Sequence, residues 1–168
     1  MEKAREVKEE KIDIDIANEK GKLFLEKVGF PGMKETYYMK RNNMITINYA
    51  YEDNGIVVYP DLIKVKVALD NGEVLGIETT GYLNSHEARY YNEDIIDIEE
   101  ARESLNSDLE IMYEGLSVIP TKWKTEIFCY EFKGKVNERE FLVYINAETG
   151  EEEDILVVLD TPNGILTM

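Results

Sequence analysis

From residue 12 onward the chain switches between two apolar spacings, and it does so twice. Ala17, Gly21, Phe24, Leu25 and Val28 recur at helical spacing and predict one buried helix stripe. Asp13 stands where an N-cap carboxylate would accept a backbone N–H, and Gly29 where a left-handed stop is needed. The period then falls to two. Ile45, Ile47, Tyr49 and Tyr51 share one strand face, and Val65, Val67 and Leu69 share another beyond a corner at Tyr59, Pro60 and Asp61. Asn54-Gly55 and Asn71-Gly72 predict two-residue hairpin turns, which favour positive φ at both central positions. The second half repeats the scheme. Asp97 precedes a shorter stripe of Ile98, Ala101 and Leu105, with Glu100 completing a capping-box pattern where the first half has Ile16. Phe128, Tyr130 and Phe132 then alternate, followed by Phe141, Val143 and Ile145, with a turn at Thr149-Gly150.

The recurrence is one of sequence as well as of period. IDIDIA at 12–17 answers IDIEEA at 96–101, and VKVALDNGEV around Gly72 answers VYINAETGEE around Gly150. Ile12 lies 60 residues before Gly72 and Ile96 lies 54 before Gly150, so a short insertion in the first copy aligns them. The expected fold class is α+β: two tandem modules, each a helix packed on an antiparallel three- or four-stranded meander sheet. Residues 1–11 read as a charged, helix-prone leader or junction, 12–81 as the first module, 82–95 as a polar connector and 96–168 as the second module. Pro162, Asn163 and Gly164 predict one further hairpin turn.

Charge narrows the partners. The chain of 168 residues carries a net charge of −16, which argues against nucleic acid and anionic lipid, both of which need a basic footprint. Residues 1–81 hold 12 Lys/Arg against 15 Asp/Glu and residues 82–168 hold 7 against 20, so the acidity belongs to the second half. A solvated acidic face is one reading of it and a docking surface for a basic partner the other. No stretch approaches the ~20 apolar residues of a membrane span, and the first 11 residues lack the apolar centre of a signal peptide, so the chain itself reads as soluble.

Catalytic chemistry fails on inventory. His86 is the one histidine and lies in the connector among Ser85, Glu87 and Arg89, with no nucleophile motif, which reads as a surface histidine. Cys129, the one cysteine, sits between Phe128 and Tyr130 in an alternating strand, as a structural thiol would. Glu151, Glu152, Glu153 and Asp154 lack the spaced, glycine-centred pattern of a calcium loop, as does the short Asp70-to-Glu73 turn. No phosphate loop or dinucleotide fingerprint occurs, so neither enzyme, metal nor cofactor is expected. Tyr90, Tyr91 and Trp123 fall outside strand alternation and are the candidate partner-binding residues.

Two long segments carry a resemblance. YPDLIKVKVALDNGEVLGIETTGYL at 59–83 and CYEFKGKVNEREFLVYINAETGEEEDILVVLDTPNGILTM at 129–168 resemble PepSY modules, and most specifically the C-terminal PepSY-repeat region of the YpeB germination family. The resemblance extends over about residues 12–168. It implies a non-catalytic regulatory or protein-binding fragment that acts with a SleB-type cortex-lytic enzyme in hydrolysis of cortex peptidoglycan during germination. PepSY modules more broadly imply the alternative of an inhibitor of a peptidase or other hydrolase. The implied partners are a cell-wall hydrolase or a second copy of the chain, without membrane contact by this fragment. The implied location is the spore, in the membrane or integument region, through an N-terminal anchor that these residues do not include.

Overall fold

A computed structural model describes residues 3–168; positions 1 and 2 of the expected leader lie outside the described residues. Two compact units are present. The first comprises the segment ending at Asp53, Pro60–His86 and Asp160–Leu166; the second comprises Asn54–Tyr59, Glu87–Leu159 and Thr167–Met168.

In the first unit, helix α1 (Ile14–Lys27) starts where Asp13 Oδ1 accepts the Ile16 N–H at 2.9 Å. It buries Ala17, Gly21 and Leu25 against Ile45, Ile47 and Tyr49 of β2 (Met44–Asp53) and Ile63, Val65 and Val67 of β3 (Ile56–Ala68). Val28, assigned to that stripe by spacing, is the exposed C-cap, and Gly29 follows in the left-handed region at φ 96°. Strands β1 (Met33–Arg41) and β4 (Val74–Glu78) pair with β2 and β3 respectively, and α2 (Thr80–Ser85) follows β4. Residues 3–11 form no helix. They run extended with Val7 buried against Ala68 and Leu75, Lys3 N–H on the Leu75 carbonyl, and Arg5 bidentate to Asp70 and bonded to Glu73.

In the second unit, α3 (Ile98–Glu103) buries Ala101 against Tyr130 and Phe132 of β6 (Glu126–Val136) and Val143 and Ile145 of β7 (Arg139–Asn146). Asp97 occupies the N-cap, but its side chain makes no capping hydrogen bond, so the capping box read from the sequence does not form. The entry is held instead by the Tyr130 hydroxyl, which donates to the Ile96 carbonyl at 2.7 Å, and the exit by Ser104 Oγ at the C-cap, which donates to the Gly150 carbonyl at 2.7 Å. Strand β5 (Glu110–Pro120) pairs antiparallel with β6, and β8 (Glu152–Thr161) with β7.

The expectation of two separate meanders, each with its own helix, is overturned by the strand order. The chain is mostly sheet, with about 16% helix. Hydrogen-bonded neighbours run β2-β1-β9-β8-β7-β6-β5-β3, where β9 is Gly164–Thr167, and a β2–β3 pairing returns the order to its start, with β4 added on β3. This is the connectivity of a closed eight-stranded β-barrel. The cause lies in β3, which spans 13 residues: Ile56–Val58 pair in parallel with Leu116–Val118 of β5, and Lys64–Val67 pair with β4. The corner expected at Tyr59–Asp61 is absent because Pro60 falls between those two paired stretches. A three-stranded meander would leave two unpaired edges, which closure removes.

Two outcomes follow. Gly21→Ala would add a Cβ well inside contact distance of the Tyr49 hydroxyl, which is fixed by donation to Asn18 Oδ1 at 2.8 Å. Although alanine is the better helix former, the overpacked variant is expected to lose about 1–3 kcal/mol in urea unfolding, most of it regained in a Tyr49→Phe background. An unchanged midpoint would contradict this packing. Arg5 and Lys3 hold the Asp70 and Glu73 carboxyls below the usual range, Asp70 chiefly through Arg5 and Glu73 first through Lys3. Depressed carboxyls stabilise above their unfolded range, about pH 4, and that contribution disappears as pH falls through the folded values. Nuclear Overhauser contacts from Val7 to Leu75 should therefore weaken near pH 3 while those from Leu25 to Ile63 persist.

Candidate partner-binding surface

The hairpin between β5 and β6 ends in a tip whose backbone is fixed by one threonine. Thr121 Oγ1 accepts the Trp123 and Thr125 N–H groups, each at 3.2 Å, and the Thr121 N–H reaches the Thr125 carbonyl at 2.8 Å. Lys124 takes φ 60° to complete the turn. Trp123 is left 76% exposed, with Lys122 Nζ 5.2 Å from its ring centroid. An indole so displayed is not core. Its presentation depends on a turn already hydrogen-bonded without a partner.

The adjacent chain is also held. Arg89 donates Nε and Nη2 to the two carboxylate oxygens of Glu126 at 2.9 and 2.8 Å, with its own side chain only 8% exposed. Tyr91 packs on Phe128 with ring centroids 5.1 Å apart. Residues 89 and 91 thus lie along the start of β6, and Tyr90 between them projects away, 99% exposed. Of the three aromatic candidates, Tyr90 and Trp123 are displayed at the β6 end of the second unit, whereas Tyr91 is occupied in packing.

His86 is exposed, as expected of a surface histidine, but its ring is also engaged. Its Nδ1 lies 2.6 Å from Oδ2 of Asp61, a carboxylate with no solvent exposure. Tyr82 stacks on the imidazole at 4.2 Å and Tyr51 meets it edge-on at 4.8 Å, with Phe30 edge-on to Tyr82 at 5.1 Å. Burial, with the Asp61 charge second, raises the Tyr82 hydroxyl above its ordinary value. The signal missed in the sequence was Asp61 itself, hidden in a supposed corner that the structure makes continuous strand. The cluster ties α2 to β3, and no nucleophile joins it.

Burial pushes the Cys129 thiol up to about 12, which makes it a poor nucleophile at neutral pH. Ser117 stands opposite it in the β5–β6 register, with a buried Oγ lacking a hydrogen-bond partner. The buried Glu131 accepts from the Tyr59 hydroxyl at 2.6 Å. Glu151–Asp154 are exposed, and Asn146 Nδ2 donates to Glu153 at 2.9 Å. Among the described residues no group of three or more His, Cys, Asp or Glu side chains is placed to hold a metal, and no helix is long and apolar enough to cross a membrane.

With the geometry in place, the likenesses are specific. Residues 1–92 match the family described as YpeB sporulation, PepSY1 and PepSY2 domains. Sporulation protein YpeB of Halalkalibacterium halodurans is 36% identical over 151 residues, which cover 90% of this chain and 34% of that protein. The Bacillus subtilis protein of the same name is 32% identical over 153 residues, covering 90% of this chain and 34% of its own length. The chain therefore spans about a third of the length of these curated relatives. Among solved structures, the Bacillus megaterium YpeB C-terminal domain superposes with a TM-score of 0.84 at 29% identity, covering 93% of this chain and 70% of that one. No catalytic family appears among these likenesses.

The role assigned to His86 is testable by stability. His86→Ala removes the 2.6 Å contact to Asp61 and two aromatic contacts, and should cost about 2 kcal/mol in urea unfolding. A midpoint equal to that of the parent chain would show that the histidine is not a structural tie.

Proposed function

The chain belongs to the YpeB family of sporulation proteins, and we propose from that membership that it is a non-catalytic, protein-binding element. Its partner in this reading is a cortex-lytic hydrolase of the SleB type, and its work is done in the spore during germination. The observation that carries the reading is the Trp123 tip, an exposed indole on a turn fixed by Thr121, with exposed Tyr90 on the same unit. Rigid aromatic side chains dominate binding energetics because they desolvate a large area while losing little conformational freedom. The exposed acidic run Glu151–Asp154 adds long-range attraction for a basic partner. Membrane or integument association belongs to the proposal too, through sequence outside these residues.

Titrating the purified hydrolase with this chain should give saturable binding that weakens as salt rises. Combined Trp123→Ala and Tyr90→Ala substitution should weaken it by about 2 kcal/mol or more, with the unfolding midpoint unchanged. Failure of the parent chain to bind at micromolar concentration would overturn the proposal. Following hydrolase turnover in the same titration separates a stabilising or localising partner from an inhibitor.

A further inference from the structure

Strand alternation in the first unit sends Ile45, Ile47, Val65 and Val67 toward α1 and puts Thr46, Asn48, Lys64 and Lys66 on the opposite face. That second face is not flat. With β1 and residues Ile165 and Leu166, it encloses a half-open cavity of about 470 Å³. The charged residues of its wall are Arg41, Lys64 and Lys66, all cations, with no Asp or Glu among them. In a chain of 19 basic and 35 acidic residues, a wall of that composition runs against the average. Lys64 touches Glu78 at 3.4 Å with both side chains about half exposed, a contact weak enough for an incoming carboxylate to replace.

The remaining wall identifies the ligand. Arginine and lysine only donate hydrogen bonds, so an anion such as phosphate would satisfy them and the donors of the neutral side chains but would leave the amide carbonyls of the wall to water. Asn42, Thr46 and Asn48 also bring acceptor oxygens, which require N–H or O–H groups on the ligand. Met39, Met44 and the Tyr37 ring supply soft apolar wall suited to a short aliphatic stem. Carboxylate, amide N–H and aliphatic stem together describe an acidic amino-acid residue within a peptide. The volume falls in the range of specific small-ligand sites, enough for a few residues and not for a folded partner. We infer that this cavity is a binding site for a short acidic peptide segment, with the cations of its wall, Arg41 first among them, holding its carboxylates.

The test uses the full chain and calorimetric titration with acetyl-Glu-Ala-Glu-amide, its Gln-for-Glu counterpart, and inorganic phosphate. Saturable one-to-one binding of the Glu peptide is expected, about tenfold weaker for the Gln peptide and weakened about tenfold by Arg41→Glu or Lys66→Glu. Arg41 is exposed, so its variant keeps the test decisive if Lys66→Glu impairs folding. Equal binding of both peptides, binding indifferent to both substitutions, complete displacement by equimolar phosphate, or no binding up to about 5 mM would each overturn the inference.

Discussion

Helices α1 and α3 are each pinned at the entrance before being held along their length. The Ile12 N–H donates to the Leu69 carbonyl at 3.0 Å, and the Ile96 N–H to the Ala147 carbonyl at 2.9 Å. Both acceptors lie three residues before a left-handed glycine, Gly72 at φ 76° and Gly150 at φ 73°. A Cβ on Gly150 would press on the isoleucine, 3.2 Å from Ile96 Cδ1, and one on Gly72 would lie 3.1 Å from Lys20 Cγ and in contact with Ile12 Cδ1 at 3.4 Å. Glycine here serves twice, permitting the positive φ and leaving room for the side chains packed over the turn. Helices of 14 and 6 residues have little stability alone, so the pinned start and the buried stripe together determine that they form. This is the physical content of the sequence duplication: the repeated Ile-Asp and the repeated glycine turn are two halves of one contact.

The strand order makes a different demand, that the edges find partners. Closing it requires strands longer than a local hairpin needs and turns tight enough to keep neighbours adjacent. β3 meets the first requirement by changing partners along its 13 residues. Paired left-handed residues meet the second, at Asn42-Asn43 (φ 53° and 57°), Asn54-Gly55 (50° and 85°) and Asn137-Glu138 (49° and 65°). Asparagine tolerates this region through its short polar side chain. Glutamate does so at a cost that the β6–β7 ladder offsets.

What the sequence disclosed was local, and what it concealed was long-range. Strand faces were legible: Ile45, Ile47, Tyr49, Val65, Val67 and Leu69 lie in one core and Tyr130, Phe132, Val143 and Ile145 in the other, as period-two alternation requires. Asp13 was legible as a cap because an N-cap is a contact within four residues. The parallel pairing of β3 with β5 was not, since register between residues 56 and 116 leaves no periodic trace. Pro60 actively misled, for proline marks corners more often than it marks a change of strand partner. The same limit hid Asp61 from His86, 25 residues apart, and the basic wall of the first unit, whose members read singly as the solvated side of amphipathic strands. The leader misled by composition: its charges suggested a solvated helix, but they bond Asp70 and Glu73 in extended chain.

Net charge and local charge therefore carry separate information. A value of −16 governs solubility and long-range attraction, because distant charges sum and are screened over about 10 Å at ordinary ionic strength. Within that distance a site responds to its own wall. Arg41, Lys64 and Lys66 act on a carboxylate inside the cavity at closer range than most of the acidic surface, so the pocket can favour an anion that the molecule as a whole repels. Raising the salt should then have opposite consequences for encounter and for contact. It relieves the repulsion that slows an acidic ligand's approach while weakening the attraction once the ligand arrives. The aromatic tip is subject to neither effect, since burial of an indole face depends on apolar area and is little changed by moderate salt. An exposed Trp123 and a basic cavity on an acidic chain thus provide two modes of recognition, one resting on apolar burial and the other on local charge.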